Sequence, residues 1–328
     1  VPIASMVKTS AAYCSFAFLA WTSRRTVNAA WINNQAISLN QWNHHQRTFR
    51  SSAVRKMSEE ATAGAGADAT TATTTTTMTD VALNLDSVRQ RMESACERSG
   101  RSMSSVQLVA VSKTKPSDLL MDAYNHGHRV FGENYVQELV GKAKELPNDI
   151  VWHFIGPLQS NKANLLVKSV IPNAAQLCVE TVATIKLANK LNNAVASLIE
   201  EQKEDEEDKK KKKLLLDIFV QVNTSGEDTK SGVSPDGDAA VDLCKQIVET
   251  CPHLNLRGLM TIGAPGDVTA FRVLTRVRDE VTAALQMPSP LELSMGMSGD
   301  FEEAIENGAT TIRVGSTIFG ARDYSNKA

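Results

Sequence analysis

Lys113 is the residue of this chain whose position best suits covalent chemistry. It ends the segment 107–113 (QLVAVSK), whose small and β-branched apolar residues are typical of a strand buried on both faces of a parallel sheet. A lysine at the end of such a strand is partly desolvated, which lowers its pKa and leaves more of the amine able to attack an aldehyde. Pro116 and Ser117 predict a turn and a helix start, so Lys113 lies in a strand-to-helix loop. The alternative is a solvated lysine that only closes the strand.

Two later segments have the composition of phosphate-binding loops. Residues 294–300 (SMGMSGD) follow one predicted strand, and residues 315–317 (GST) follow the next. Backbone N–H groups and hydroxyls at a helix start attract anions, helped by the partial charge of the helix N-terminus. The candidate binding residues in the two loops are Ser294, Met297, Ser298, Gly315 and Ser316. The alternative is ordinary helix capping by the serines at 298 and 316.

Arg313 lies two residues before Gly315 on the same predicted strand, so both positions share one face of that strand. An arginine among apolar strand residues needs a partner. We expect the guanidinium to bind either a phosphate or a ring nitrogen at the mouth of the fold. The alternative is a buried ion pair with Glu133 or Glu180.

An amine that captures aldehydes, two phosphate loops and an inward arginine together describe a site for pyridoxal 5'-phosphate. Asn134 and His153, at the ends of two other predicted strands, could contact the ring or its hydroxyl. Packing and turn roles are the alternatives for both. Lys230 is a candidate second amine, with a solvated loop lysine as the alternative.

These residues need a fold that brings several strand ends together, and the hydrophobic pattern predicts one. The predicted strands, with helical patterns between them, are 107–113, 129–134, 150–156, 176–180, 214–223, 256–262, 291–297 and 311–315. Eight βα repeats in about 250 residues predict a closed α/β fold, the (β/α)8 TIM barrel, rather than an open doubly wound sheet. In such a barrel the loops after the strands build the site, and those after strands seven and eight often hold a phosphate.

The segments outside the barrel differ from it in composition. Residues 1–58 contain seven Lys/Arg and no Asp/Glu, which is typical of a transit peptide, and residues 61–79 are mostly Ala, Gly and Thr, which predicts a flexible linker. We therefore divide the chain into a leader and linker, 1–80, and a single barrel domain, 81–328, which begins with an extra N-terminal helix. Residues 200–213 form a charged insertion. The location is cytoplasmic, or mitochondrial if the basic leader is translated and functional; a start at Met57 would remove most of it.

The overall composition excludes several classes of protein. The 328 residues are 42% apolar, which allows a sizeable core. A net charge of −2 and a pI near 6.4 indicate neither nucleic acid nor an anionic membrane surface as a partner. Five scattered cysteines predict reduced thiols in an intracellular compartment and no metal site, and no apolar run approaches the ~18 residues of a membrane span. We expect a monomer or weak dimer.

Six motifs closely resemble the pyridoxal phosphate homeostasis protein family, also known as the proline synthetase co-transcribed homologue. They are 109–115 (VAVSKTK), 131–138 (FGENYVQE), 152–156 (WHFIG), 258–263 (GLMTIG), 293–298 (LSMGMS) and 312–324 (IRVGSTIFGARDY). The resemblance covers residues 82–325 and implies a barrel like the N-terminal domain of alanine racemase. It also implies a cofactor bound as a Schiff base to Lys113 and a role in vitamin B6 and amino-acid homeostasis, with no established reaction. The leader, the charged insertion and the loop 264–269 depart from the family pattern.

The resemblance leaves a choice between a carrier and an enzyme. Alanine racemase takes its second catalytic base from a C-terminal β domain, and only eleven residues follow Thr317 here. We therefore expect no enzyme but a carrier or regulator that holds pyridoxal phosphate and passes it to apo forms of pyridoxal-phosphate-dependent enzymes. The alternative is a racemase or lyase of narrow activity in which Tyr124 or Tyr135 replaces the missing base.

Overall fold

Eight strands alternate with helices along the chain and close into a parallel barrel, which confirms the predicted fold. The computed structural model describes residues 79–204, 214–226, 231–264 and 266–321. The strands are β1 (Gln107–Val111), β2 (Val130–Glu133), β3 (Val151–Phe154), β4 (Gln176–Val182), β5 (Leu216–Gln221), β6 (Leu254–Met260), β7 (Glu292–Ser294) and β8 (Thr311–Val314). The barrel closes where β8 pairs with β1, with Val109 opposite Arg313.

Helices surround the barrel and connect its strands. Within the described ranges they are α1 (Asp80–Arg98), α2 (Ser117–Asn125), α3 (Val136–Glu145), α4 (Ala163–Val170), α5 (Ile185–Glu204), α6 (Ala239–Thr250), α7 (Val268–Ala284), α8 (Phe301–Glu306) and α9 (Ser316–Phe319). Short 3-10 turns lie at Met103–Ser105, Ser160–Lys162 and Ile171–Asn173. None of the helices in this part of the chain is long and apolar enough to cross a membrane.

Strand β4 shows how the barrel divides its side chains between two layers. Leu177 and Val179 belong to the large core between strands and helices, whereas Cys178 belongs to a separate cluster with Phe219 and Met260. Because successive strand side chains point to opposite faces, Cys178 and Glu180 face the barrel interior. The interior near the carboxyl ends of the strands is polar, with four side chains that are almost completely buried: His153, Glu180, Ser294 and Arg313.

The amphipathic helix α1 precedes the barrel, as predicted. The residues of the predicted apolar stripe are all buried: Val81, Leu85, Val88, Met92 and Ala95. The stripe packs against the last part of the fold, and ion pairs flank it. Arg91 Nε lies 2.8 Å from Glu302 Oε1, and Arg98 Nε lies 2.7 Å from Glu306 Oε1. Helix α1 therefore fastens the beginning of the barrel to its end.

The element boundaries differ from the predicted ones in two places that matter for the site. Strand β1 ends at Val111 because the Ser112 carbonyl accepts from the Lys115 N–H at 3.0 Å and so starts a turn. Strand β4 continues to Val182, two residues beyond its predicted end at 180, and helix α5 begins at Ile185. The leader and linker up to residue 78, positions 205–213 of the charged insertion, and Lys230 lie outside the described residues, so what was predicted for them stays a prediction.

Candidate functional site

A cavity of about 250 Å³ opens at the carboxyl ends of the barrel strands. Small-molecule sites span roughly 300–1,000 Å³, so this volume suits a compact ligand. Its lining comes mainly from the loops after β1, β7 and β8. The lining residues are Val111, Lys113, Lys115, Ile155, Met297, Ser298, Gly299, Arg313, Gly315, Ser316 and Gly320.

The charge of this cavity favours an anion. Three of its lining side chains are cationic, namely Lys113, Lys115 and Arg313, and none of the lining residues in the described ranges is a carboxylate. A second cavity of about 260 Å³ lies against α4 and α5 and is lined mostly by Asn and Ser side chains. Of these two cavities in the described part of the chain, the strand-end cavity is the one that combines two lysines with the two predicted loops.

The loops after β7 and β8 are joined to each other by a direct hydrogen bond. The Gly315 N–H donates to Ser298 Oγ at 3.1 Å, and the Met297 N–H donates to Asp300 Oδ1 at 2.6 Å. Gly296 allows the first loop to turn, because its φ of +91° is favourable only for glycine and a Cβ there would lie 2.5 Å from the Ala304 Cβ. The two loops therefore form one surface rather than two independent ones.

The capping alternative for the two loop serines is not what the structure shows. The N-cap residues are Asp300 for α8 and Gly315 for α9, so neither Ser298 nor Ser316 is an N-cap. These helices have only six and four residues. The predicted attraction for an anion therefore depends less on helix dipoles than on hydroxyls and on first-turn N–H groups, which lack an intrahelical acceptor.

Arg313 both lines the cavity and pairs with a carboxylate inside the barrel. Its Nη1 donates to Ser294 Oγ at 2.6 Å, its Nη2 donates to the Thr261 carbonyl at 2.7 Å, and Glu180 Oε2 lies 3.8 Å from Nη1. Burial lowers the pKa of the Arg313 guanidinium, and the charge of Glu180 opposes that effect. The ion pair that was an alternative to ligand binding exists, with Glu180 and not with Glu133, and it leaves Arg313 at the cavity wall.

Glu180 is the centre of a buried hydrogen-bond network beneath the cavity. His153 Nδ1 lies 2.5 Å from Oε1, and Ser294 Oγ donates to Oε2 at 2.5 Å. Burial raises the pKa of the Glu180 carboxyl, but the His153 hydrogen bond and charge, with Arg313 and Ser294, bring it below its ordinary value. An ionised carboxylate only accepts hydrogen bonds, so Nδ1 of His153 carries the proton it shares. The network holds Arg313 through Ser294, whose hydroxyl accepts from Arg313 and donates to Glu180.

Lys113 occupies the tight turn that follows β1. It is half-buried, and the next residue, Thr114, has a φ of +61°. Such a φ at the third position of a turn is typical of type II turns, where Gly is preferred, and it is strained for a β-branched residue. Lys115, two residues on, donates from Nζ to the Ala321 carbonyl at 2.7 Å. Both lysines thus reach the cavity from one short turn.

The structure brings six of the nine predicted site residues to one cavity. They are Lys113, Met297, Ser298, Arg313, Gly315 and Ser316. Ser294 lies below them in the Glu180 network. Asn134 and His153 do not line the cavity, although Asn134 Oδ1 and His153 Nε2 are buried without a hydrogen-bond partner in the described part of the chain. The ring contacts expected of Asn134 and His153 therefore stay a prediction.

Sequence reasoning missed Lys115, the second lysine and the third cationic residue of the site. Its position two residues after Lys113 was a usable signal, because a tight turn brings neighbouring side chains to the same cavity. It also left open which carboxylate pairs with Arg313. That choice depends on barrel register, which the sequence pattern does not specify.

Comparisons with known proteins identify the relatives of this chain. The model of the family "Alanine racemase, N-terminal domain" matches residues 83–323. The pyridoxal phosphate homeostasis protein of Homo sapiens is 43% identical over 261 residues, which are 75% of this chain and 88% of that protein. The protein of the same name from Vibrio alginolyticus is 40% identical over 257 residues, 75% of this chain and all of that protein.

A solved structure gives the same relationship with a ligand present. PipY of Synechococcus elongatus, solved with PLP bound, is 30% identical and superposes with a TM-score of 0.57 over 73% of this chain and 100% of its own. The names of the curated relatives describe a homeostasis role and name no reaction.

Proposed function

The chain belongs to the pyridoxal phosphate homeostasis protein family, within the wider family of the alanine racemase N-terminal domain, and from that premise we propose that it binds pyridoxal 5'-phosphate in the strand-end cavity. The cofactor is held as a Schiff base on Lys113. The protein acts as a carrier or regulator in intracellular vitamin B6 and amino-acid homeostasis, and its partners are apo forms of pyridoxal-phosphate-dependent enzymes.

The observation that carries this proposal is the lining of the cavity. The lysine turn after β1 and the joined loops with Ser298, Gly315 and Ser316, beside Arg313, line the same cavity. A phosphorylated aromatic aldehyde has a dianionic group for the loops and cations and an aldehyde for the lysine. The residues present therefore fit the cofactor.

The covalent step requires from the protein only an amine that can reach the aldehyde. The neutral Lys113 amine forms a C=N bond with the aldehyde carbon, and one water leaves, with no oxidant or reductant. When bound, the cofactor supplies a reactive carbonyl and an electron-withdrawing ring. The chain supplies the amine, counter-charges for the phosphate, and the Glu180 network that fixes Arg313.

A carrier is favoured over a racemase by what is absent from the same lining. Among the described residues that line the cavity there is no His, Tyr, Cys, Asp or Glu, the usual groups for proton transfer at a substrate carbon. Lys115 has an amine, but it donates to the Ala321 carbonyl. A racemase needs a positioned acid or base on each face of the substrate carbon, and Lys113 could serve only one face. A second such group is worth roughly 10² to 10⁴ in rate, so without it any turnover stays far below the ~10 per second typical of enzymes.

Lys113→Ala tests the binding proposal. The variant should lose the Schiff-base absorption band while the barrel still folds, because Lys113 lies in a half-buried turn and not in the core. Lys115→Ala is the matched control, since it removes a lysine of the same cavity and should keep the band. Borohydride reduction followed by peptide mapping should place the cofactor on Lys113. An unchanged band in Lys113→Ala, or trapping on another lysine, would contradict the assignment.

Two assays separate the carrier from the enzyme. The holo-protein is incubated with L- and D-amino acids while α-deuterium exchange and products are followed. It is then mixed with a cofactor-free pyridoxal-phosphate-dependent enzyme while recovery of activity is followed. Racemisation or elimination above about 1 per second would make it an enzyme. Reactivation no faster than release of free cofactor would exclude direct delivery.

A further inference from the structure

The turn that carries Lys113 is hydrogen-bonded to a buried lysine of helix α3. Lys142 is only 6% exposed, and its Nζ donates to the Ser112 carbonyl at 2.9 Å, to Glu133 Oε1 at 2.7 Å and to Glu138 Oε1 at 2.7 Å. An ammonium group has three N–H donors, so all of them are used. Neither Lys142 nor any of its acceptors is among the described residues that line the cavity, so Lys142 is not needed for contact with a ligand there.

The two carboxylates bonded to Lys142 also bind the residues on either side of Lys113. Ser112 Oγ donates to Glu133 Oε1 at 2.6 Å, and the Thr114 N–H donates to Glu138 Oε1 at 2.7 Å. The residue before Lys113 is therefore fixed through Glu133 and the residue after it through Glu138. Lys142 joins both restraints at a single atom.

This arrangement costs free energy, because it buries charged groups and holds a β-branched residue at a positive φ. Burial raises the pKa of the Glu133 carboxyl, against the opposing effect of the Lys142 charge. Thr114 is held at a positive φ that a β-branched residue avoids. Buried charges and strained backbone conformations persist where the surroundings over-determine them, commonly beside functional groups. Here both converge on the two peptide units that flank Lys113.

We propose that Lys142, together with Glu133 and Glu138, is a positioning residue that directs the Lys113 amine into the cavity. The proposal rests on the proposed function, in which that amine bonds the aldehyde of pyridoxal phosphate. The network touches neither the cofactor nor the reacting atoms. It acts by fixing the peptide units at Ser112 and Thr114, so that little conformational freedom remains to be lost when the C=N bond forms and water leaves.

The first test separates capture of the aldehyde from binding. Lys142→Met keeps most of the apolar stem and removes the three hydrogen bonds. The rate of Schiff-base formation should fall by about tenfold or more, because misplaced reactants lose the advantage of orientation. Pyridoxine 5'-phosphate, which has an alcohol in place of the aldehyde, should bind with an affinity changed less than about twofold, because cavity contacts remain. Lys168→Met is the control, since Lys168 makes an exposed pair with Glu201.

The second test uses rescue. Glu138→Ala removes the acceptor of the Thr114 N–H and should also slow capture, whereas Glu138→Gln keeps an oxygen acceptor there and should retain most of the rate. Adding Thr114→Gly to Glu138→Ala should recover a large part of the loss, since glycine adopts the positive φ without help. Glu138 is partly exposed, so these variants should fold even if Lys142→Met does not.

The outcomes are distinguishable. The proposal is supported if the variants form the Schiff base more slowly but bind pyridoxine phosphate as before, and if Thr114→Gly restores the rate. It is overturned if folded Lys142→Met and Glu138→Ala form the Schiff base at the wild-type rate, or if the rate and pyridoxine phosphate binding fall equally. If the wild type forms no Schiff base, the proposed function fails instead. In that case the positioning proposal is tested by the rate at which formaldehyde and cyanoborohydride methylate Lys113, measured by peptide mapping. An equal rate of methylation in wild type and variants refutes the proposal.

Discussion

Glu180→Gln should destabilise the barrel strongly while changing few atoms. The carboxylate is completely buried, and its ion-pair partner Arg313 is 4% exposed. Removing one partner of a buried ion pair costs roughly 3–5 kcal/mol, because the remaining charge stays in the interior uncompensated. The lower end applies here, since glutamine still offers Ser294 an acceptor and the charge of Asp300 remains near Arg313. We therefore expect the free energy of unfolding to fall by about 3 kcal/mol, a large part of the ~5–15 kcal/mol of a typical domain.

Urea denaturation of the apo-protein near neutral pH measures this loss. Glu201→Gln is the control, because Glu201 makes an exposed pair with Lys168 and should change stability by less than about 0.5 kcal/mol. The pKa of Glu180 is lowered on folding, so its contribution is present above the ordinary carboxyl pKa of 4.5 and is lost as the pH falls below that value. The difference between wild type and variant should shrink over that range. A loss under about 1 kcal/mol, or a difference independent of pH, would show that Arg313 does not depend on Glu180.

Three further predictions concern other parts of the chain. Burial lowers the pKa of His128 from 6.5 to about 4, so the folded state resists protonation and stability falls as the pH drops from 6.5 towards 4. His128→Gln should remove about 3 kcal/mol of that decline in urea titrations, and an unchanged pH dependence would contradict the assignment. Gly156→Ala should lower the melting temperature by several degrees, because the new Cβ overlaps the Asn134 carbonyl oxygen, whereas Gly141→Ala, with open space around it, should not. If the basic leader is translated and functional, a fluorescent protein fused behind residues 1–80 should enter mitochondria, and a fusion that stays cytosolic would argue against a targeting role.

The barrel and most of its site follow from the sequence for a simple geometrical reason. In a parallel barrel all the carboxyl ends of the strands meet at one face, so any residues placed at those ends must converge. Lys113 and Arg313 could therefore be assigned to one site from strand positions alone, although 200 residues separate them. The residue types at those ends indicated the cofactor, and the resemblance of the motifs to a known family implied the same one.

The restraints behind the site could not be predicted in the same way. The contact of Lys142 with the Ser112 carbonyl depends on how α3 is rotated against β1 and β2, and the spacing of Glu138 and Lys142 indicates only a helical pair. The positive φ of Thr114 also has no sequence signal, because threonine is among the residues least expected there. Both features are set by tertiary contacts that override local preference.

Helix α1 has a consequence for how the protein is made. Its apolar stripe packs against the end of the fold, and its ion pair from Arg91 to Glu302 spans 211 residues of sequence. A ribosome adds roughly 5–20 residues per second, so on the order of 10–40 s pass between synthesis of the stripe and synthesis of the surface that covers it. A similar time passes between synthesis of strand β1 and synthesis of its partner β8. Until the last part of the barrel has been made, the apolar stripe of α1 and one edge of β1 therefore lack the late contacts that they have in the folded protein.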